Sequence, residues 1–165
     1  MNQIRVLLVD DHEIVRFGLR TAFEAEPDIR VAGEAGDGAE AVRMAVALRP
    51  SVVVLDIRMG AMDGIEACRQ IKASPKTHDI PVIFLTSLES ATDEEHGLSL
   101  GASDFIHKPF SPPVVLARVK NHLMLASALR DLRRHNEMLE SVVAARTREV
   151  VRQAEQLARR NRVVS

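Results

Sequence analysis

Residues 51–56 read Ser-Val-Val-Val-Leu-Asp and run straight into Ile57-Arg58-Met59-Gly60-Ala61-Met62-Asp63-Gly64. Four consecutive apolar residues, three of them β-branched, fit a strand buried on both faces, as at the centre of a parallel sheet. Such a strand hands its last residue to the carboxyl edge of the sheet, where open α/β proteins gather their chemistry. Asp56 stands at that edge and is the first candidate functional residue.

Working outward, Ile4 to Asp10 is a second apolar run ending in acids, Asp10 and Asp11. His12 to Ala25 places Ile14, Val15, Gly18, Leu19, Ala22 and Phe23 at helical spacing, which predicts an amphipathic helix. Pro27-Asp28 breaks it, Ile29 to Ala35 reads as a strand, and Asp37 is a candidate cap for a helix from Ala39 to Leu48. Beyond the opening stretch, Asp63-Gly64 leads into a helix through Ile71, and Pro81 to Thr86 is a strand ending in a hydroxyl. A short helix from Glu94 to Leu100 follows, then a brief strand, Asp104 to His107, leading into Lys108-Pro109-Phe110. Strand and helix alternate five times, which predicts an α/β fold with a doubly wound parallel sheet covered on both faces.

The chain has 165 residues, room for one domain of ordinary size and something more. Its charge is divided: residues 1–110 carry 11 Lys/Arg against 18 Asp/Glu, and residues 111–165 carry 11 against 5. Opposite charge in the two parts predicts two structural units, 1–122 and 123–165. A lone cysteine, Cys68, excludes an internal disulfide and is expected to be a buried core residue. No apolar run reaches the ~18 residues of a membrane span, and the N-terminus enters a strand pattern without a signal-peptide plan. A cytoplasmic protein that does not engage membranes is the expectation.

The strands deliver a coherent set to one edge: Asp10 and Asp11 from the first, Asp56 from the third, Thr86 from the fourth, and Lys108 after the fifth. Converging carboxylates repel, so a cation is needed among them. Asp11, Asp56 and a nearby backbone carbonyl make a hard-oxygen site suited to Mg²⁺, with Mn²⁺ able to substitute. Lys108 adds a second positive charge and Thr86 a neutral donor. This set suits phosphoryl transfer to a carboxylate, with Asp56 as the nucleophile.

The motifs L-V-D-D-H, V-V-V-L-D-I-R-M, M-D-G, F-L-T-S, G-A-S-D-F-I and K-P-F, in this order and spacing, resemble the receiver domain of two-component response regulators of the chemotaxis type. The resemblance covers residues 3–122. It implies a flavodoxin-like fold of strand order 2-1-3-4-5, with Asp56 as phosphoacceptor and Asp10 and Asp11 as the Mg²⁺-holding pair. It also implies the Arg58 backbone carbonyl as a further ligand, Thr86 as the switch hydroxyl, Lys108 as the phosphate-contacting lysine and Phe105 at the aromatic switch position. The Lys108–Pro109 bond is implied to be cis, making Pro109 a cis-peptide candidate. A histidine kinase or phosphotransfer protein is the implied donor. Three positions depart from the family's usual pattern: Gly60 replaces a proline, Phe105 lacks a tyrosine hydroxyl, and Ser87 follows Thr86 where a smaller residue is common.

After Pro113 no Gly or Pro interrupts the chain through Val164, so one helix of ~50 residues, ~75–80 Å long, is expected to project from the sheet. Its apolar residues step by four and three: Leu125, Leu129, Leu132, Asn136, Leu139, Val143, then Arg146, Val150, Gln153 and Leu157. This predicts a coiled-coil seam and a homodimer, with Asn136 at an a-like position fixing a parallel register. A competing seam through Thr147, Val150, Ala154 and Leu157 marks a stutter. The arginines are interleaved with Glu, and no helix-turn-helix follows, so direct nucleic-acid binding is not expected. The stretch V-K-N-H-L onward, with R-T-R-E at 146–149, resembles the linker of response regulators with HD-GYP cyclic-dinucleotide phosphodiesterase outputs, or less often a cyclase. V-D-D-H-E-I-V-R-F-G-L is instead similar to regulators with helix-turn-helix outputs. No output domain is recognised in the 165 residues, so a non-enzymatic switch is expected. Two alternatives stand beside it. One is a coiled-coil scaffold indifferent to phosphorylation. The other is a metal-dependent phosphatase, disfavoured because Arg58 occupies the place where haloacid-dehalogenase-type enzymes carry their general acid.

Overall fold

The computed structural model describes residues 3–87 and 91–163. Strand β1 (Ile4–Val9) is followed by α1 (Glu13–Glu24), β2 (Ile29–Ala35), α2 (Gly38–Leu48), β3 (Val52–Asp56) and α3 (Gly64–Ala73). Then come β4 (Val82–Thr86), α4 (Ala91–Ser99), β5 (Asp104–His107) and α5 (Pro112–Val163). All pairings are parallel, in the order β2-β1-β3-β4-β5. The doubly wound sheet and its strand order therefore stand as the sequence implied. The expected continuation of the last helix to Val164 lies outside the described residues.

The opening stretch is central because of its composition. Every residue of β3 is buried; Val53 and Leu55 enter one core, Val52 and Val54 the other. On the first face, Ala41 and Ala45 of α2 and Ala67, Cys68 and Ile71 of α3 meet Leu7, Val9, Val53, Leu55 and Phe84. On the second, Leu19 and Phe23 of α1 and Val115 and Val119 of α5 meet Val6, Leu8, Val54, Ile83 and Leu85. Cys68 is a fully buried core residue, and desolvation pushes its thiol up to about 11. Ile14, grouped above with the apolar face of α1, is instead 81% exposed, because it lies off the Leu19–Phe23 stripe that packs on the sheet.

Helix starts follow local chemistry. Asp37 and Asp63 each accept a hydrogen bond from the backbone N–H three residues on, at 2.8 Å, capping α2 and α3. Helix α4 starts at Ala91, three residues before the expected Glu94. The chain divides by packing into Met1–Leu123 and Met124–Ser165. In the first unit, Val115 and Val119 anchor the start of α5 in the core. In the second, every described residue except Ala126 is exposed.

Candidate phosphoryl-acceptor site

Strand ends build the site. Asp56 is the last residue of β3, and Asp10 lies one residue past β1; both are buried, as is Thr86 at the end of β4. Asp11 follows on the loop to α1 and is 40% exposed at its side chain. One ligand atom each from Asp10, Asp11, His12 and Asp56 lie within 4.8 Å of one another. Lys108 reaches in from the loop after β5, its Nζ 3.0 Å from Asp10 Oδ2 and 3.4 Å from Asp56 Oδ2. Its own backbone N–H donates to the Thr86 carbonyl at 2.7 Å, which ties the lysine to the end of β4. The Lys108–Pro109 bond is cis.

Burial raises the Asp56 carboxyl above its ordinary value; the nearby Asp10 adds to the rise, and Lys108 opposes it. One lysine thus faces a pair of buried carboxylates, and Asp11 brings a third. That surplus of hard oxygen donors and negative charge fits a divalent cation of the Mg²⁺ type. Beside it, Asp11, Ile57, Arg58, Met59, Gly60, Asp63 and Ile65 line an open cleft of about 520 Å³. Arg58, whose carbonyl the resemblance nominated, lies on that wall.

Two further residues, His12 and Gly64, shape the site. His12 donates its backbone N–H to Asp10 Oδ1 at 2.8 Å, and its Nδ1 sits 2.9 Å from Asp11 Oδ1, so it holds both acids at once. The motif D-D-H contained it, but nothing in the motif distinguishes a caliper from a solvated loop residue. Gly64 is required by close approach: a Cβ there would fall 2.1 Å from the Asp56 carbonyl oxygen. Its N–H donates to the Ile57 carbonyl at 2.7 Å, so α3 begins directly against the backbone that carries Asp56. Phe105 is half-buried, with its ring 5.2 Å from that of Phe84, turned into the core rather than away from it.

A doubly wound parallel sheet with buried acids, a hydroxyl and a lysine at its carboxyl edge defines a phosphoryl-accepting signalling domain. The chain belongs to the response regulator receiver domain family, which it matches over residues 6–120. It is 41% identical over 143 residues to the transcriptional regulatory protein LiaR of Bacillus subtilis, covering 87% of this chain and 62% of LiaR. The response regulator domain of Thermotoga maritima CheB superposes with a TM-score of 0.67 at 34% identity, covering 74% of this chain and 97% of that one. The receiver domain of the sensor histidine kinase PA1611 of Pseudomonas aeruginosa, which has a magnesium ion coordinated in its active-site cleft, gives 0.66 at 27% identity, covering 73% and 98%. The chain spans between 28 and 62% of the length of the curated relatives it matches. It is a receiver of two-component signalling, and among the described residues no helix is long and apolar enough to cross a membrane.

Proposed function

We propose that Asp56 accepts a phosphoryl group from a histidine kinase or a phosphotransfer protein, and that Asp10, Asp11, Asp56 and the Arg58 carbonyl hold Mg²⁺ while it does so. The observation that carries this is the meeting of three carboxylates and one lysine at a single strand edge. When bound, the cation supplies charge neutralisation for the acids and the incoming phosphoryl oxygens. Asp56 attacks phosphorus as the bond to the donor nitrogen breaks, and the Lys108 ammonium is placed to take over the charge of the transferred group. Thr86, at the end of the neighbouring strand, supplies the hydroxyl that reads the new group, and Phe105 responds beside it.

The same reading assigns residues 1–122 to the receiver and 123–165 to a dimerising helix whose seam is Leu125, Leu129, Leu132, Asn136, Leu139, Val143, Val150 and Leu157. In a single chain its leucines and valines are half or more exposed, from 50% at Leu139 to 65% at Leu132, which supports a second copy as their partner. Interleaved Glu and Arg support an output reached through helix packing rather than nucleic-acid contact by this segment. A continuous helical linker agrees with the likeness to regulators with HD-GYP outputs. The chain itself acts as a switch rather than an enzyme, and its working place is the cytoplasm.

Incubation with acetyl phosphate and Mg²⁺, followed by intact-mass measurement, is expected to show one added phosphoryl group that is absent in Asp56→Asn. No adduct with any small donor or with a phosphorylated histidine protein would leave the phosphorylation-independent scaffold as the better reading.

A further inference from the structure

Asp10 and Asp11 are joined by one peptide group, and the setting of that group determines where both carboxylates point. Asp10 lies past the paired register of β1, whose last partners are Ala35 on β2 and Leu55 on β3. Its N–H still donates to the Ala35 carbonyl at 3.2 Å, but its own carbonyl has run beyond the ladder. A backbone carbonyl in that position needs a donor from elsewhere. The donor is Arg16, one turn into α1, whose Nη1 lies 2.6 Å from the Asp10 oxygen.

The guanidinium is itself held. Arg16 Nε is buried and stands 3.4 Å from Glu34 Oε1 on β2, too poorly aligned to count as a hydrogen bond, while Arg20 donates to Glu34 Oε2 at 2.5 Å. Glu34 thus acts as an anchor between two arginines, of which only Arg16 touches the acid pair's backbone among the described contacts. Asp10 has further anchors in His12 and Lys108, whereas the described contacts of the Asp11 carboxylate reduce to His12. Asp11 therefore depends on its backbone for its aim more than Asp10 does.

We infer that Arg16 is a positioning residue for the divalent-cation site: by clamping the Asp10 carbonyl, it sets the peptide that aims Asp10 and Asp11 at the metal. This rests on the reading of those acids as metal ligands. Outer partners that orient metal-binding groups are worth roughly 10–100-fold in affinity. Arg16 does not touch the phosphoryl group in this arrangement, so its effect falls on metal affinity and not on the chemical step.

The test is Mn²⁺ binding followed by the loss of free-ion electron paramagnetic resonance signal, together with the Mg²⁺ dependence of phosphorylation by acetyl phosphate, on the full 165-residue chain. Arg16→Gln is expected to weaken Mn²⁺ about tenfold or more and to raise the half-saturating Mg²⁺ by a similar factor. The phosphorylation rate at saturating Mg²⁺ stays as in the wild type. Arg20→Gln, which perturbs Glu34 without touching the Asp10 carbonyl, is expected to stay within about twofold. Arg16→Lys keeps the charge but loses the fork, and serves if Arg16→Gln does not fold; it is expected to fall between the two. Wild-type affinity in Arg16→Gln, or in Arg16→Lys where that is the folded variant, overturns the inference, as does an equal loss in Arg20→Gln. Failure of the wild-type chain to bind Mn²⁺ overturns the metal-site reading itself and the inference with it.

Discussion

Asp56 is buried at 4% exposure beside Asp10, and its carboxyl sits above the ordinary 3.8 because desolvation, then Asp10, outweigh Lys108. A raised native value means the folded chain keeps this proton to higher pH than the unfolded chain does. Below 3.8 both states are protonated and the residue costs nothing. As pH climbs through the native value the fold loses stability, and the loss persists at neutral pH. Asp56→Asn is therefore expected to raise the melting temperature at pH 7 in chelator-treated protein, with the gain shrinking as pH falls toward 3.8. Calorimetric scans from pH 4 to 8 measure this, and a gain that grows on acidification would reverse the assignment. The five residues at the strand ends were legible in their placement, because an apolar run that ends in a polar residue buries the strand and delivers that residue to the carboxyl edge of the sheet. Arg16 and Gly64 were not, because their roles consist of contacts with another segment, and His12 was not, because a histidine that grips its own two neighbours has the same sequence as a solvated loop residue. Arg16 reads as one more charge on an amphipathic helix until the end of β1 is placed beside it.

Among the elements, α4 was the least legible. Its nine residues, Ala-Thr-Asp-Glu-Glu-His-Gly-Leu-Ser, carry too little apolar periodicity to fix where it begins. By contrast, the caps Asp37 and Asp63, each followed three residues later by Glu, announce α2 and α3. What α4 contributes is a gap. A Cβ on Gly97 would come within 2.4 Å of Phe105 Cζ and 3.2 Å of Phe84 Cε2, so the stacked pair occupies the space a side chain would take. Two effects compete in Gly97→Ala. Helix propensity favours alanine by ~1 kcal/mol, while forcing an atom into a packed core costs ~1–3 kcal/mol. The second wins while Phe105 stays inward, so urea unfolding is expected to show net destabilisation. In a Phe105→Leu background Cζ is gone, and the same substitution is expected to become neutral or stabilising. An identical effect in both backgrounds would show that Gly97 does not act through the ring. If the substitution turns Phe105 outward, the switch role proposed for this ring predicts a changed rate of adduct formation, measured by intact mass.

At the scale of the whole molecule, acidic residues dominate up to position 110 and basic ones after it, by 18 to 11 and 11 to 5. The heptad pattern proposes a seam for the last segment, but a single helix cannot disclose its partner. Leu125, Leu129, Leu132, Leu139 and Val143 are all at least 50% exposed, so a second copy has much to cover. Sedimentation is expected to show a dimer that weakens in a chain ending at His122; monomers in both cases would remove the coiled coil. Within that dimer, Asn136 occupies an a-like layer flanked by Leu132 and Leu139. In a parallel, in-register pair, it meets its own copy and can hydrogen-bond there; in a shifted or antiparallel pair, it is buried against apolar side chains without a partner. In the proposed dimer it is therefore expected to lower affinity while excluding wrong arrangements. Asn136→Leu is expected to tighten association and, at the same time, to broaden the species present toward higher oligomers or mixed orientation. Sedimentation equilibrium reads the first effect, and disulfide trapping of a Leu129→Cys variant reads the second, since only the parallel register brings that position against itself and native Cys68 is buried. Tighter association with trapping unchanged would mean that the apolar layers alone set the orientation. Weaker association would place Asn136 outside the seam, and the competing register through Thr147, Val150, Ala154 and Leu157 would then extend toward the receiver.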